Sequence, residues 1–119
     1  MNHSQIIFNV NEQSISQSDA GAVLGLISIQ IHEHIFPESN WNDFIVVVLN
    51  WWTKEIVSLC LENQDKAVCE FMDGPFYFVL KKSNNSGRLE CSLCNDGNSK
   101  CLNGFEIEQL QLVDALKKL

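Results

Sequence analysis

The chain has 119 residues, 45% of them hydrophobic and 19% charged, which fits one globular domain over residues 1–119 and not a disordered segment. Eight Lys and Arg against fifteen Asp and Glu give a net charge of -7. That balance argues against non-specific nucleic-acid binding, whose affinity comes from neutralising phosphates, and against docking on an anionic membrane surface.

The charge is unevenly placed. No Lys or Arg precedes Lys54, while Glu12, Asp19, Glu33, Glu38 and Asp43 all fall before it, so residues 1–53 carry a net of -5 and the remainder -2. An uncompensated negative half is a field source that steers cationic partners and speeds their association. Solubility is the plainer reading of the same charge. The first ten residues lack the basic start and apolar run of a secretory signal. The longest strongly apolar run, residues 44–49, is far short of the roughly 20 residues that span a bilayer. A soluble, cytoplasmic protein is expected, with Cys60, Cys69, Cys91, Cys94 and Cys101 as reduced thiols.

In chain order, Ile6, Phe8 and Val10 alternate as a strand, and Asn11-Glu12 turns it toward a short second strand around Ile15. Residues 17–21 are turn-like. Ile27, Ile29 and Ile31 alternate with Ser28, Gln30 and His32, which predicts a half-buried strand over residues 23–35. Residues 37–40 break the chain; Ser39 or Asn40 caps a helix, and Asp43 places negative charge in its first turn. Over residues 42–63, Ile45, Val48, Leu49, Trp52, Ile56, Leu59 and Cys60 form one helical stripe. Val46, Val47, Trp51 and Val57 lie off it, so this helix should be buried on more than one side and stand at the centre of the fold.

An antiparallel meander follows. Residues 67–72 and 76–82 read as strands joined by a tight turn at Asp73-Gly74, then a loop occupies residues 83–87. Residues 88–94 and 100–107 form a second hairpin around residues 95–98, with an interruption at Asn103-Gly104. Leu112, Ala115, Leu116 and Leu119 predict a short amphipathic C-terminal helix, with Lys117 and Lys118 at its negative end. The fold class is α+β: a mostly antiparallel sheet packed against one long central helix, with a short C-terminal helix.

Few side chains combine into chemistry. Cys91, Cys94 and Cys101 have a partial zinc-site spacing. A two-residue turn at Asp96-Gly97, however, places Cys94 opposite Ser99 and turns Cys91 to the other face, so no metal is expected and the cysteines read as small buried hydrophobes. The CxxC falls on a strand and lacks the helix N-terminus that a redox pair needs. His32 and His34 share one strand face and could bind metal or serve as acid and base, yet exposed strand residues are the better account. Asp43 and Asp73 could be cast as paired carboxylates, but each has a local role, at a helix start and in a turn. Trp51 and Trp52 project about 100° apart. One faces the core; the other packs under a loop or stands exposed as a contact anchor, and core packing for both is the expectation. No cofactor motif and no nucleophile motif occurs.

The stretch Phe36-Pro37, Trp41-x-Asp43-Phe44, Trp51-Trp52 and Phe71-Met72-Asp73-Gly74-Pro75 resembles a group of small, uncharacterised bacterial proteins with that pattern. The resemblance covers the middle third of the chain. It departs at Asn50, where a small residue such as glycine is usual, and in the cysteine-rich third strand of the meander. It implies structural roles for the motif residues and no catalytic one. By type, the chain is similar to the immunity proteins of polymorphic-toxin and contact-dependent inhibition systems, which are short, acidic and cytosolic.

That likeness implies a non-enzymatic binding protein that occludes a cationic toxin domain, such as a nuclease, with Glu12, Asp19, Glu33 and Glu38 as first partner-binding candidates and Asp43 behind them. Two alternatives are a structural or regulatory homodimer joined through sheet edges or a tryptophan, and an enzyme built on His32 and His34.

Overall fold

A computed structural model describes residues 5–62, 64–83 and 87–119. The α+β class holds: two helices accompany antiparallel strands, here arranged as two four-stranded sheets. One cluster of buried side chains draws on both sheets and both helices.

The first sheet contains β1 (Ile6–Gln17), β2 (Val23–Ile31), β3 (His34–Phe36) and β4 (Asn42–Asp43), with β2 pairing to all three others. Ile6 and Phe8 of β1 and Ile27, Ile29 and Ile31 of β2 are buried, as their alternation requires. The expected turn at Asn11-Glu12 is instead an irregularity within β1. Asn11 faces Leu26 and Ser16 faces Leu24, so residues 12–15 bulge opposite Gly25. The Ser14 hydroxyl holds the bulge, donating to the Asn11 carbonyl at 2.6 Å and accepting from the Leu26 amide at 2.8 Å. The strand expected to continue to Ile35 folds back after Ile31. His32 takes a positive φ of 55°, and His34 then pairs with Ile31.

The second sheet is the meander β5 (Lys66–Glu70), β6 (Phe76–Lys82), β7 (Arg88–Asn95) and β8 (Lys100–Glu108), in that order. The β5–β6 connection is wider than a two-residue turn: Phe71 N–H reaches the Phe76 carbonyl at 3.0 Å. Gly74 within it has φ 122°, and a Cβ there would come 3.1 Å from the Trp41 ring, so both backbone and packing demand glycine. Of the loop expected over residues 83–87, residues 84–86 lie outside the described residues. The suspected interruption at Asn103-Gly104 is a bulge in a continuous β8: both residues oppose Ser92, and Gly104 has φ 98°.

The helices are α1 (Ile45–Leu61) and α2 (Gln109–Lys117). Ile45, Val48, Trp52, Ile56 and Leu59 of α1 are buried, with Leu49 and Cys60 partly buried against the same core, so the predicted stripe is the packed face. The expected second buried side is absent: Val46, Val47, Trp51 and Val57 are exposed. The helix begins at Ile45 with Phe44 as its N-cap, so neither Ser39 nor Asn40 caps it, and its first turn holds no acidic residue.

Both helices cover strand edges. Lys82 N–H bonds to the Asp65 carbonyl and Phe71 N–H to that of Phe76, so antiparallel alternation turns the backbone groups of residues 66, 68 and 70 away from β6. Side chains take them up. Gln64 Nε2 donates to the Lys66 carbonyl at 2.8 Å, Glu55 accepts from the Val68 amide at 3.1 Å, and the Trp52 indole donates to the Glu70 carbonyl at 2.7 Å. On the first sheet, Gln111 of α2 behaves as one rung of a neighbouring strand. Its Oε1 accepts from Ile6 N–H at 2.9 Å, and its Nε2 donates to the Ile6 carbonyl at 3.0 Å. These contacts blunt edges that would otherwise invite strand addition.

Gln111→Ala removes both rungs while leaving the buried Leu112 and Ala115 in place. It should cost about 1–2 kcal/mol in urea denaturation, with faster hydrogen exchange at the Ile6 amide than at the Ile29 amide.

Candidate functional site

The acidic residues of the N-terminal half do not converge. Asp43 is fully buried. Its carboxylate accepts from the Trp41 indole N–H at 2.9 Å, from Phe44 N–H at 2.7 Å and from Asp73 N–H at 3.2 Å. The expectation that it meets a partner is therefore corrected: it is an internal acceptor, because two backbone amides and an indole converge where water is excluded. Asp73, expected in a two-residue turn, instead presents its amide to this carboxylate.

Glu12, Asp19, Glu33 and Glu38 are exposed. Asp19 lies in the turn before β2 and Glu33 in the turn after it. A nine-residue strand is about 26 Å long, so these two stand at opposite ends of the first sheet. Glu12 sits on the β1 bulge, and Glu38 between β3 and β4. The four are spread along the sheet and form no single patch.

Asp43→Ala would take the acceptor from the Trp41 indole N–H and from the Phe44 and Asp73 amides, at a cost of about 3 kcal/mol in urea unfolding. Glu12→Gln and Asp19→Asn, both on the surface, should shift stability by less than about 0.5 kcal/mol.

His32 and His34 are separated by the β2–β3 turn and no longer share a strand face. His34 packs edge-on against Phe105 of β8, with ring centroids 5.3 Å apart. The cysteines depart from expectation as well. The β7–β8 loop spans residues 96–99, closed by Asn95 and Asn98 side chains that accept from Gly97 N–H and Lys100 N–H at 2.8 and 3.1 Å. Cys94 therefore lies directly opposite Cys101 and not Ser99, and the two form a disulfide instead of remaining thiols. Cys91 lies on the other face of β7, in the core.

Burial pushes the Cys91 thiol up to about 12. Burial first, then the charges of Glu55 and Cys91, pushes Cys69 well above its usual value. The sign of the linkage is fixed by which state loses protons first. The unfolded thiols ionise near 9.0 and the folded ones do not, so stability is complete below pH 9 and falls as pH rises toward 12. Comparing urea midpoints at pH 8 and 11 should show a smaller alkaline loss for the Cys69→Ala/Cys91→Ala variant than for the parent.

On the outside, the two adjacent tryptophans part company. Trp52 is 1% exposed and Trp51 is 41% exposed, which corrects the expectation that both are core. Val47, one turn before Trp51, is also exposed. A depression of about 220 Å³ is lined by Trp51, Lys54, Glu55, Val68 and Glu70. From there the outward rows of the second sheet run across the ladder as Val68–Val79–Ser92 and Glu70–Tyr77–Cys94. Tyr77 lies between two carboxylates. Loss of hydration, then the charge and hydrogen bond of Asp96, then the charge of Glu70, pushes its phenol above the ordinary value. The signal for an exposed Trp51 was its offset from the apolar stripe. Nothing in the sequence pointed to Val68, Tyr77 or Asp96 beside it.

A second depression, of about 360 Å³ on the first sheet, is lined by amides, hydroxyls and apolar groups, among them Asn9, Asn11, Ser28, Ser39 and Asn40, with no titratable side chain. No three His, Cys, Asp or Glu side chains among the described residues are grouped to hold a metal ion. No helix among them is long and apolar enough to cross a membrane. Comparison with family models, curated proteins and solved structures returns no match.

Proposed function

We propose that this chain is a stoichiometric binding protein of the immunity type: a cytoplasmic, non-enzymatic partner that neutralises a cationic toxin domain, a nuclease, by covering its active site. One observation carries the reading. Glu12, Asp19, Glu33 and Glu38 are exposed, none has an ion pair among the described residues, and no cation precedes Lys54. Their charge is thus available to a partner. A nuclease gathers Lys and Arg around the phosphates it binds, which gives the opposite field. Spread along the sheet, the four carboxylates act at a distance as a steering field and not as one contact row. Behind them, α1 touches β2 of the first sheet and β5 of the second. No cofactor enters this mechanism.

The exposed Trp51 also favours a second reading, a structural or regulatory homodimer joined through that side chain. A concentration-independent dimer in sedimentation would select it.

The reading requires a toxic domain encoded beside this chain, and the test is co-expression with that candidate domain; the lack of one would itself count against the reading. Growth should be restored by this chain, and the purified pair should associate about tenfold or more slowly when ionic strength rises from about 0.02 to 0.5 M. Failure to restore growth, or an association rate indifferent to salt, would overturn the proposal.

A further inference from the structure

We infer that the surface which docks on the cationic partner is the strip running from Trp51 of α1 across the outer face of the second sheet, and that it receives an arginine of that partner. The inference rests on the immunity-type reading above and deepens it by naming the contact face and the group it takes.

The centre of the strip is uncharged: Val47 and Trp51 on the helix, then Val68, Val79 and Ser92 across β5, β6 and β7. Trp51 stays outside for a geometric reason. The next residue, Trp52, spends its indole on the core and the β5 edge, and a helix rotates adjacent side chains by about 100°. Trp51 is therefore held rigidly on α1 beside Val68, and an exposed, pre-positioned tryptophan is the side chain most enriched among binding hot spots.

Charge says what lies over it. On one side of the uncharged row stand Glu70 and Asp96, flanking Tyr77. On the other side Lys66 and Lys81 are followed by Glu90 and Glu106. Lys54 and Glu55 share the Trp51 depression, with Glu55 engaged by the Val68 amide. A guanidinium satisfies the acidic side fully: it stacks on the exposed indole and reaches the Glu70 carboxylate with paired N–H groups, which a lysine ammonium does less well. The β5 and β6 end of the other row, Lys66 and Lys81, asks for the opposite sign, while farther along it Glu106 is already paired with Arg88. The strip therefore reads a partner in one orientation, with cations over Glu70 and Asp96. The N-terminal carboxylates and this strip divide the labour: the former set the rate of encounter, the latter the lifetime of the complex.

The experiment is surface plasmon resonance between this chain and the candidate toxic domain of the growth test, purified. Trp51→Ala should raise the dissociation constant about 30-fold, mainly through faster release. Trp51→Phe should recover part of the loss, and Glu70→Lys should weaken binding about tenfold or more. Glu12→Gln with Asp19→Asn should slow association and leave release unchanged. Unaltered melting temperatures keep misfolding apart from lost contact, since all these side chains lie on the surface. If the parent chain binds and protects but Trp51→Ala and Glu70→Lys bind as well as it does, the strip is the wrong face and only this inference falls. If the parent chain itself neither binds nor protects, the immunity-type reading falls with it. A self-association abolished by Trp51→Ala would assign the strip to a second copy and overturn the arginine-bearing partner.

Discussion

A carboxylate shut away from water holds the two sheets in register with one another. Asp43 ends the last strand of the first sheet, and the amide it captures at Asp73 belongs to the β5–β6 loop of the second. Between them the Trp41 indole donates to the same carboxylate while its ring lies edge-on to Phe76, 5.1 Å between centroids. A buried anion is tolerated only where its oxygens are hydrogen-bonded, so the three donors are a requirement of placing it there. The aromatic residues around it follow. Phe36 meets Phe71 and Phe76, and Phe71 meets Trp52, which in turn packs on Phe78. Most of the Phe-Pro, Trp-x-Asp-Phe, Trp-Trp and Phe-Met-Asp-Gly-Pro residues gather in this one region, which gives the pattern a structural meaning.

The edges of the sheets pose the second constraint. An unpaired strand edge exposes donors and acceptors that seek another strand. Here helix side chains supply most of the missing partners, Trp52 and Glu55 along β5 and Gln111 on β1, and Gln64 of the α1–β5 loop supplies one more. Covering β5 this way brings α1 alongside the edge with one face inward. Its other face, with Val47 and Trp51, stays outside next to Val68 and Glu70. The exposed Trp51 is thus a by-product of how an edge is closed.

Much of the fold was legible. Alternating isoleucines in β2, the stripe from Ile45 to Leu59 and the Leu112–Ala115 spacing are local periodicities, and burial of one face follows from them. β6 keeps the bounds its alternation predicts, residues 76–82, for the same reason. The hairpin turns were less legible. Asp-Gly at residues 73–74 and 96–97 signals a tight turn, but the first closes only between Phe71 and Phe76, with the Asp73 amide given to Asp43, and Asx hydrogen bonds accompany a second loop of four residues. One consequence is the Cys94–Cys101 disulfide, since the longer loop changes which residues face each other. Of the candidate site, the excess of acid before Lys54 was visible, while the burial of Asp43 and the dispersal of the other four carboxylates were not.

The amino-acid order by itself determined the α+β class, the periodic elements, the absence of cations from the N-terminal half and the set of side chains available for contact, because each depends on residues close together along the chain. Only the tertiary structure decided which of two adjacent tryptophans faces solvent, that Asp43 serves the interior, and that Trp51, Val68, Tyr77 and Asp96 share one surface. Those outcomes depend on groups brought together from distant positions. Gln111 reaching Ile6 and Asp43 reaching Asp73 are set by competition for buried hydrogen-bonding groups, which no local pattern records.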